Sequence, residues 1–559
     1  MRGASSIRYM LRSGGARVCT LILIIVLGTL YLPSFHFYAE DDDELFPTSG
    51  NNTIGEGAPE LAPAKALIDA VPPIRAHHRC PAPRTAKVHQ IDRARQLCTP
   101  LKSALPAFAV SLCYERDAYD AFTVRARRVD QKECARLEAK GPQVEDEQMR
   151  EWVRKERGPD TLWLRVDGAE RISTQWSTYE GGCAYRFDVH VRNAGDLYVD
   201  LWHAYEDYQG FVEGQHMRAL PWPPLLQRRL LEQPIRLPWA ASDCRPYTVP
   251  PIFESHLTEV PAPLTPADQA LEDLPPCTGD DPIRGSYYPA NSLDVLWPEW
   301  NYPQPHGRPV GGRYRFMPHD CEWRHAGMRA STAHRCTRRR ESVYMLGDSH
   351  GRIIYDGMVH RLNGTGGVMH ASHKLEFKSA KVGQVEFAFQ WDPRGELIAA
   401  EPQKICAALI ERKVDVFFAS IAFHLALDEP THVFLDRLEA VFDAVHHCTK
   451  PADRGHGQHG AYSGPRTRVL VTPAAVAPRQ DGDAAASKQK STNARHAYWA
   501  ALAAPVARAR GWAVLDQFAL TEPMAWEPMF TDRLHYLLTD AHEAIVDEAV
   551  GRTGLCPDE

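Results

Sequence analysis

The chain lacks an excess of positive charge. Its 559 residues hold Lys+Arg 64 against Asp+Glu 71, a formal net charge of -7. There is no basic footprint for a nucleic-acid backbone, so that class of partner is set aside. Repeated long apolar runs are also missing. Mean hydropathy is -0.39, too polar for a polytopic membrane protein but compatible with one span. No Cys-x-x-Cys pair with zinc spacing occurs, no metal is expected, and there is no internal repeat. The chain does not lack material for a core. Hydrophobic residues are 44% and charged residues 24%, ordinary globular values that exclude a wholly disordered chain or a coiled coil. At about 150 residues per domain the length suggests three or four domains, fewer once stems and loops are discounted.

One span is expected at residues 18–38. It contains Leu21-Ile22-Leu23-Ile24-Ile25-Val26-Leu27, followed by Tyr31, Phe35, Phe37 and Tyr38. About 20 apolar residues cross a bilayer, and aromatic residues suit its interface. Arg2, Arg8, Arg12 and Arg17 precede the span, while Glu40 to Glu44 are all acidic. That asymmetry favours a cytoplasmic tail at 1–17 and a lumenal or exterior remainder. A cleaved signal peptide, giving a secreted or cell-surface protein, is the alternative. Of 13 cysteines only Cys19 lies in the span. The other twelve, an even number, suit disulfides in an oxidising compartment, with the pairing open. His77-His78-Arg79-Cys80 and His446-His447-Cys448 to His459 read as surface loops and disulfide ends rather than metal sites. Asn51 and Asn363 begin glycosylation sequons.

Residues 39–75 are acidic, then rich in Pro, Gly and Ala, and read as a flexible stem. Residues 76–244 read as a β-rich, sandwich-like domain. Phe108-Val110-Leu112, Leu162-Leu164-Val166 and Tyr185-Phe187-Val189-Val191 show the period of two that a half-buried strand requires. Leu197-Val199-Leu201 follows the turn residues Asn193 to Asp196, a hairpin signal. Eight prolines make residues 245–276 a linker. From 277 to 559 short apolar strands alternate with helices: Val343 to Leu346 then a helix through Leu362, Val414 to Ala419, and a helix from Thr431 to His446. Val469 to Val471, a helix from about Asn493 to Arg510, Trp512 to Leu515 and a last helix near Asp540 to Arg552 follow. That alternation predicts an α/β fold, a doubly wound parallel sheet covered on both faces. Active sites of such sheets lie beyond the carboxyl ends of the strands.

Gly347-Asp348-Ser349 sits where that rule points. Glycine allows a sharp turn, and a helix beginning at Ser349 brings backbone N–H groups and a positive partial charge to the hydroxyl. Such a site stabilises the oxyanion formed when serine attacks an acyl carbonyl. Near the other end of this region, Asp532-Arg533-Leu534-His535 supplies an imidazole to take the serine proton and a carboxylate to orient it.

Gly347-Asp348-Ser349-His350-Gly351-Arg352 with the distant Asp532-x-x-His535 resembles the SGNH-type PC-esterase superfamily. That group includes trichome-birefringence-like polysaccharide O-acetyltransferases, capsule and sialate O-acetyltransferases, and neurexophilin-and-PC-esterase proteins. The likeness covers roughly residues 277 to 556, including the Arg313 to Cys321 segment, Cys336 and Cys556. It implies an SGNH-like three-layer catalytic domain preceded by an immunoglobulin-like β-sandwich and an N-terminal transmembrane helix. It further implies Ser349 as nucleophile, His535 as base and Asp532 as its orienting partner. Asp348, Arg352 and His424 are the expected oxyanion or substrate groups. His424 lies where members carry a glycine-containing motif, and this chain has Ala422 there. Gly366-Gly367 is a further oxyanion candidate.

The function so implied is a type II Golgi membrane O-acetyltransferase acting on glycan hydroxyls. It needs no bound cofactor but requires an acetyl donor, acetyl-CoA or a lumenal one, with a separate transporter if the donor is cytosolic. Trp297, Trp300, Tyr302 and Trp323 are candidate sugar-stacking residues. Hydrolysis by the same triad, as a carbohydrate acetyl esterase, is one alternative. A non-catalytic secretory-pathway binding protein is the other.

Overall fold

The computed structural model describes residues 93–114, 121–172, 177–213, 226, 228–239, 274–277, 282–289, 314–321, 336–363, 377–448, 462–476, 492–525, 535–536 and 539–556. The architecture is mixed α/β with several sheets. The span, the stem, most of the proline-rich linker, Asn51, Asp532, Trp297, Trp300, Tyr302, Trp323, Gly366 and Gly367 lie outside the described residues. Among the described residues no helix is long and apolar enough to cross a membrane.

The β-rich region forms two antiparallel sheets. One has the order β1 (Leu97–Leu101), β2 (Phe108–Tyr114), β3 (Ala121–Arg128), β6 (Ala184–His190), β5 (Thr178–Gly181). In the other, β7 (Gly195–Tyr205) pairs with β4 (Thr161–Gly168), β8 (Arg228–Arg229) and β9 (Ile235–Trp239). Val110, Leu112, Val124, Tyr185 and Phe187 from the first sheet share one core with Leu164, Val166, Leu197, Val199 and Leu201 from the second. The period of two therefore marks the inward faces correctly. It does not identify partners: β6 and β7 belong to different sheets, so Asn193 to Asp196 carry the chain between layers instead of closing a hairpin.

Two helices that the alternation does not reveal follow β3: α1 (Gln131–Lys140) and α2 (Glu147–Glu156). Asp130 and Asp146 cap them, accepting from the first-turn amides of Lys132, Glu133 and Met149. Met149 and Val153 of α2, with Tyr208 and Phe211, enter a core built mainly by the parallel sheet and its helices. Glu213 reaches the same region. Its carboxylate accepts from Thr431 N and Oγ1 at 3.0 and 2.6 Å and from Arg495 Nε at 3.1 Å. A buried ion pair with these extra bonds satisfies charges that would be costly alone.

The large sheet has the order β13 (Phe377–Val382), β14 (Val385–Trp391), β12 (Glu341–Gly347), β15 (Val416–Ser420), β16 (Thr467–Val471), β17 (Ala513–Leu515). All neighbours are parallel except the edge pair β13–β14. The parallel strands, numbered along the chain, thus run 2-1-3-4-5. Val343, Met345, Phe387, Phe389 and Phe418 face α3 (Ser349–Asn363) and α7 (Asp540–Thr553). Tyr344, Leu346, Ala388, Phe417 and Ala419 face α4 (Pro402–Arg412), α5 (Thr431–His446) and α6 (Asn493–Ala509). Both faces are covered, which is why these strands are continuous apolar runs.

A ribbon of β10 (Gly285–Pro289) and β11 (Tyr314–Pro318) joins the regions. Its Tyr287 exchanges backbone bonds with Arg171 and donates its phenol to Leu520 O at 2.5 Å. Among the described residues five disulfides are formed: Cys98–Cys113, Cys134–Cys183, Cys277–Cys321, Cys336–Cys556 and Cys406–Cys448. Cys448 is therefore a disulfide end, as its sequence context suggests. Of these, Cys336–Cys556 closes the longest loop, with a sequence separation of 220, tying the segment just before β12 to the residues just after the helix Asp540–Thr553.

Candidate active site

A 2-1-3-4-5 sheet reverses its winding between its first and third strands, and the crevice beyond that point is the usual ligand site. These strands are β12 and β15, and Ser349 follows β12 directly. Gly347 is required there by close approach. A Cβ at this position would come 2.1 Å from Ser420 O, the oxygen that accepts the Asp348 amide at 2.8 Å. The glycine thus serves interstrand packing rather than a left-handed turn.

Asp348 locks the turn. One carboxylate oxygen accepts from His350 N at 3.0 Å, Gly351 N at 3.2 Å and Ser420 Oγ at 3.0 Å. The other accepts from Phe423 N at 3.3 Å. Asp348 is therefore the helix cap and a clamp on β15, and both its oxygens are used inside the fold instead of facing substrate. Complete burial pushes its carboxyl up to about 6, against the downward pull of these four donors. The cap engages the second and third amides of α3 and leaves the first, Ser349 N–H, as the helix-end donor beside the hydroxyl.

His535 Nε2 lies 2.8 Å from Ser349 Oγ. Residues 186 positions apart are thus within hydrogen-bond reach, in the geometry a serine nucleophile and its base require. Both are nearly buried, at 5% and 9% exposure, so water competes little for the contact. Asp532, the third expected member, lies outside the described residues. The following residue, Tyr536, fixes the imidazole's backbone. It adopts φ 52°, and its fully buried phenol donates to Ala475 O at 2.5 Å while Thr539 Oγ1 donates to its carbonyl at 2.5 Å. A left-handed aromatic residue is strained and persists only where its surroundings hold it.

Several neighbours carry no motif signature. The His350 ring stands 5.2 Å from that of His535 and 4.5 Å from Phe423, and Gln517 Nε2 lies 3.3 Å from its Nδ1. Trp391, at the end of β14, is in register with Gly347. Arg352 lies over its ring at 5.8 Å and His424 meets it edge-on at 5.8 Å. Arg352 and His424 are thus gathered around one tryptophan that the sequence does not flag. Asn363 is exposed at the far end of α3, about 20 Å from Ser349 at 1.5 Å per residue.

No protein-family model matches the chain. No curated protein is a detectable relative. Among solved structures that match, one is similar at 15% identity over 40% of this chain and 100% of its own, with a TM-score of 0.26, too low to carry an argument about fold or function.

Proposed function

We propose that the chain is a single-pass type II Golgi O-acetyltransferase that moves acetyl groups onto glycan hydroxyls, as its resemblance to the PC-esterase superfamily implies. The immunoglobulin-like reading of the β-rich region and the lumenal orientation belong to the same proposal. The observation that carries it is the 2.8 Å contact between Ser349 Oγ and His535 Nε2 at the switch point of the sheet.

The chemistry runs in two halves. His535 Nε2 accepts the Ser349 proton as Oγ bonds to the acetyl carbonyl carbon, and the Ser349 N–H with the α3 dipole stabilises the oxyanion. Collapse breaks the bond to the donor's leaving group, which takes the proton from His535. A sugar hydroxyl then gives its proton to the same nitrogen and attacks the serine ester. Collapse returns Oγ, which recovers the proton, and leaves the acetate ester on the sugar. Asp532 would accept from the other imidazole nitrogen and hold the tautomer this sequence needs.

The test is mass spectrometry of the full chain quenched during incubation with an acetyl donor. Acetyl mass on the Ser349 peptide, absent in Ser349→Ala, is expected; an unmodified serine under turnover overturns the reading. Repeating the incubation with oligosaccharide separates transfer from hydrolysis, since transfer yields an acetylated sugar and hydrolysis only acetate.

A further inference from the structure

We propose that Trp391, framed by Arg352 and His424, is the platform on which a pyranose ring of the acceptor stacks. This rests on the reading of Ser349 as the acetyl-carrying nucleophile and adds the group that holds the acceptor. Val385, Phe387 and Phe389 of β14 are buried at 0–1% exposure, whereas the last residue of the strand, Trp391, is only half-buried. The apolar strand therefore ends in a large aromatic that partly leaves the core at the active-site edge of the sheet.

Register fixes its distance from the chemistry. Trp391 pairs with Gly347, so its backbone is one strand spacing, about 4.8 Å, from the end of the nucleophile strand. Helix periodicity gives a second bearing. Ser349 and Arg352 are three residues apart on α3 and so share one side of it, about one turn apart. The Arg352 guanidinium lies 5.8 Å from the centre of the Trp391 ring. Both relations place Trp391 beside the strand end and helix that carry the serine.

The surrounding groups suit a sugar. The ring of His424 stands edge-on to Trp391 at 83°. From there Phe423, His350 and His535 continue as ring-to-ring contacts at 6.4, 4.5 and 5.2 Å. A wall of aromatic side chains thus runs from the base to the indole, with cationic or hydrogen-bonding groups at intervals. A pyranose presents a C–H face that packs on a flat indole and hydroxyls at its edge that bond to such groups. An aromatic surface with a few convergent polar atoms is the general form of a specific small-ligand site.

The experiment measures binding to the purified full chain by saturation-transfer NMR and calorimetry, with xylohexaose, cellohexaose, chitohexaose, 3′-sialyllactose and coenzyme A as probes. At least one oligosaccharide is expected to bind saturably. Trp391→Leu should weaken it by about ten-fold or more, and Trp391→Phe, which keeps a flat ring, by about three-fold or less. With an acetyl donor present, Trp391→Leu should raise the acceptor KM by a larger factor than it lowers kcat. His424→Ala, expected to weaken binding about three-fold, carries the test if Trp391→Leu does not fold. The proposal is overturned if no oligosaccharide binds the wild type. It is equally overturned if the oligosaccharide Kd is the same in the folded variants, or if only coenzyme A responds to them. Acetylation of Ser349 is read separately on the wild type. Tryptophan-dependent sugar binding without acetylation removes the catalytic reading and leaves the platform; acetylation without it removes the platform alone.

Discussion

Among the described residues, two serines stand against a histidine at nearly the same distance. Ser349 Oγ lies 2.8 Å from His535 Nε2, and Ser286 Oγ lies 2.9 Å from His319 Nε2. Each also has a buried carboxylate nearby, Asp348 and Glu170 respectively. The carboxylates do different things. Asp348 accepts backbone amides and the Ser420 hydroxyl, leaving the Ser349 proton for the imidazole. Glu170 accepts directly from the Ser286 hydroxyl and also from Arg192 N and Asn193 N at 2.7 and 2.9 Å. With that proton directed at Glu170, the Ser286 oxygen can only accept from His319, so its lone pairs are engaged. Ser286 is also fully buried within an antiparallel ribbon, whereas Ser349 opens a 15-residue helix beyond a parallel strand. A serine–histidine distance is thus insufficient evidence for a nucleophile. Where the hydroxyl proton goes, and what lies beyond the oxygen, decide the matter. One arrangement suits acyl chemistry; the other joins the ribbon to the β-rich region.

Alanine at the two serines should separate the roles most sharply. Ser349→Ala should lower acetyl turnover by about a thousand-fold or more while the protein still melts as the wild type does, because a nucleophile and its base act as a unit. Ser286→Ala should lose stability instead, by about 1–3 kcal/mol, because the buried Glu170 carboxylate loses a donor. Paired measurements of turnover and thermal unfolding check both. Equal loss of turnover in two folded variants would erase the distinction between the sites.

Much of this was legible in the sequence, for identifiable reasons. The strands of the parallel sheet are buried on both faces, so Val343 to Leu346 and Val414 to Ala419 stand out as apolar runs. The helix bounds near Thr431–His446 and Asp540–Thr553 match the expected ones closely, because apolar positions recur around them. The helices α1 and α2 were hidden, since their charged sequences bury only Cys134 and Leu137, and Met149 and Val153. Their aspartate caps were the available signal. Alternation showed which side chains of β6 and β7 face inward but could not assign the strands to different sheets. At the site, Ser349 and His535 carry motifs. Trp391 does not, because its position depends on pairing with Gly347, a long-range fact with no local signature. Tyr536 is similar: nothing in its neighbours announces a left-handed backbone.

The smallest effect concerns the carboxylate that leaves its serine alone. Asp348 has its carboxyl pushed up to about 6 by burial, above the ordinary 3.8. Between these values the folded chain holds a proton that the unfolded chain has released. Stability contributed by this group is therefore present below about pH 4 and falls as pH rises toward about 6. Asp348→Asn keeps a carbonyl acceptor for part of the cap and has no charge to bury. The stability lost on substitution should thus be largest at acid pH and shrink by an amount on the order of 1 kcal/mol by pH 7. Taking the difference between variant and wild type matters, because His496 and His542 act in the opposite sense. Burial lowers both to about 3, so each makes folding less favourable as pH falls below the ordinary histidine value. Those contributions are common to both proteins and cancel in the difference. Denaturant melts of the pair between pH 4 and 7 provide the measurement. A substitution cost that grows with pH would mean that Asp348 is held as a stabilised anion, and the contrast with Glu170, whose carboxyl burial also raises, would have to be redrawn.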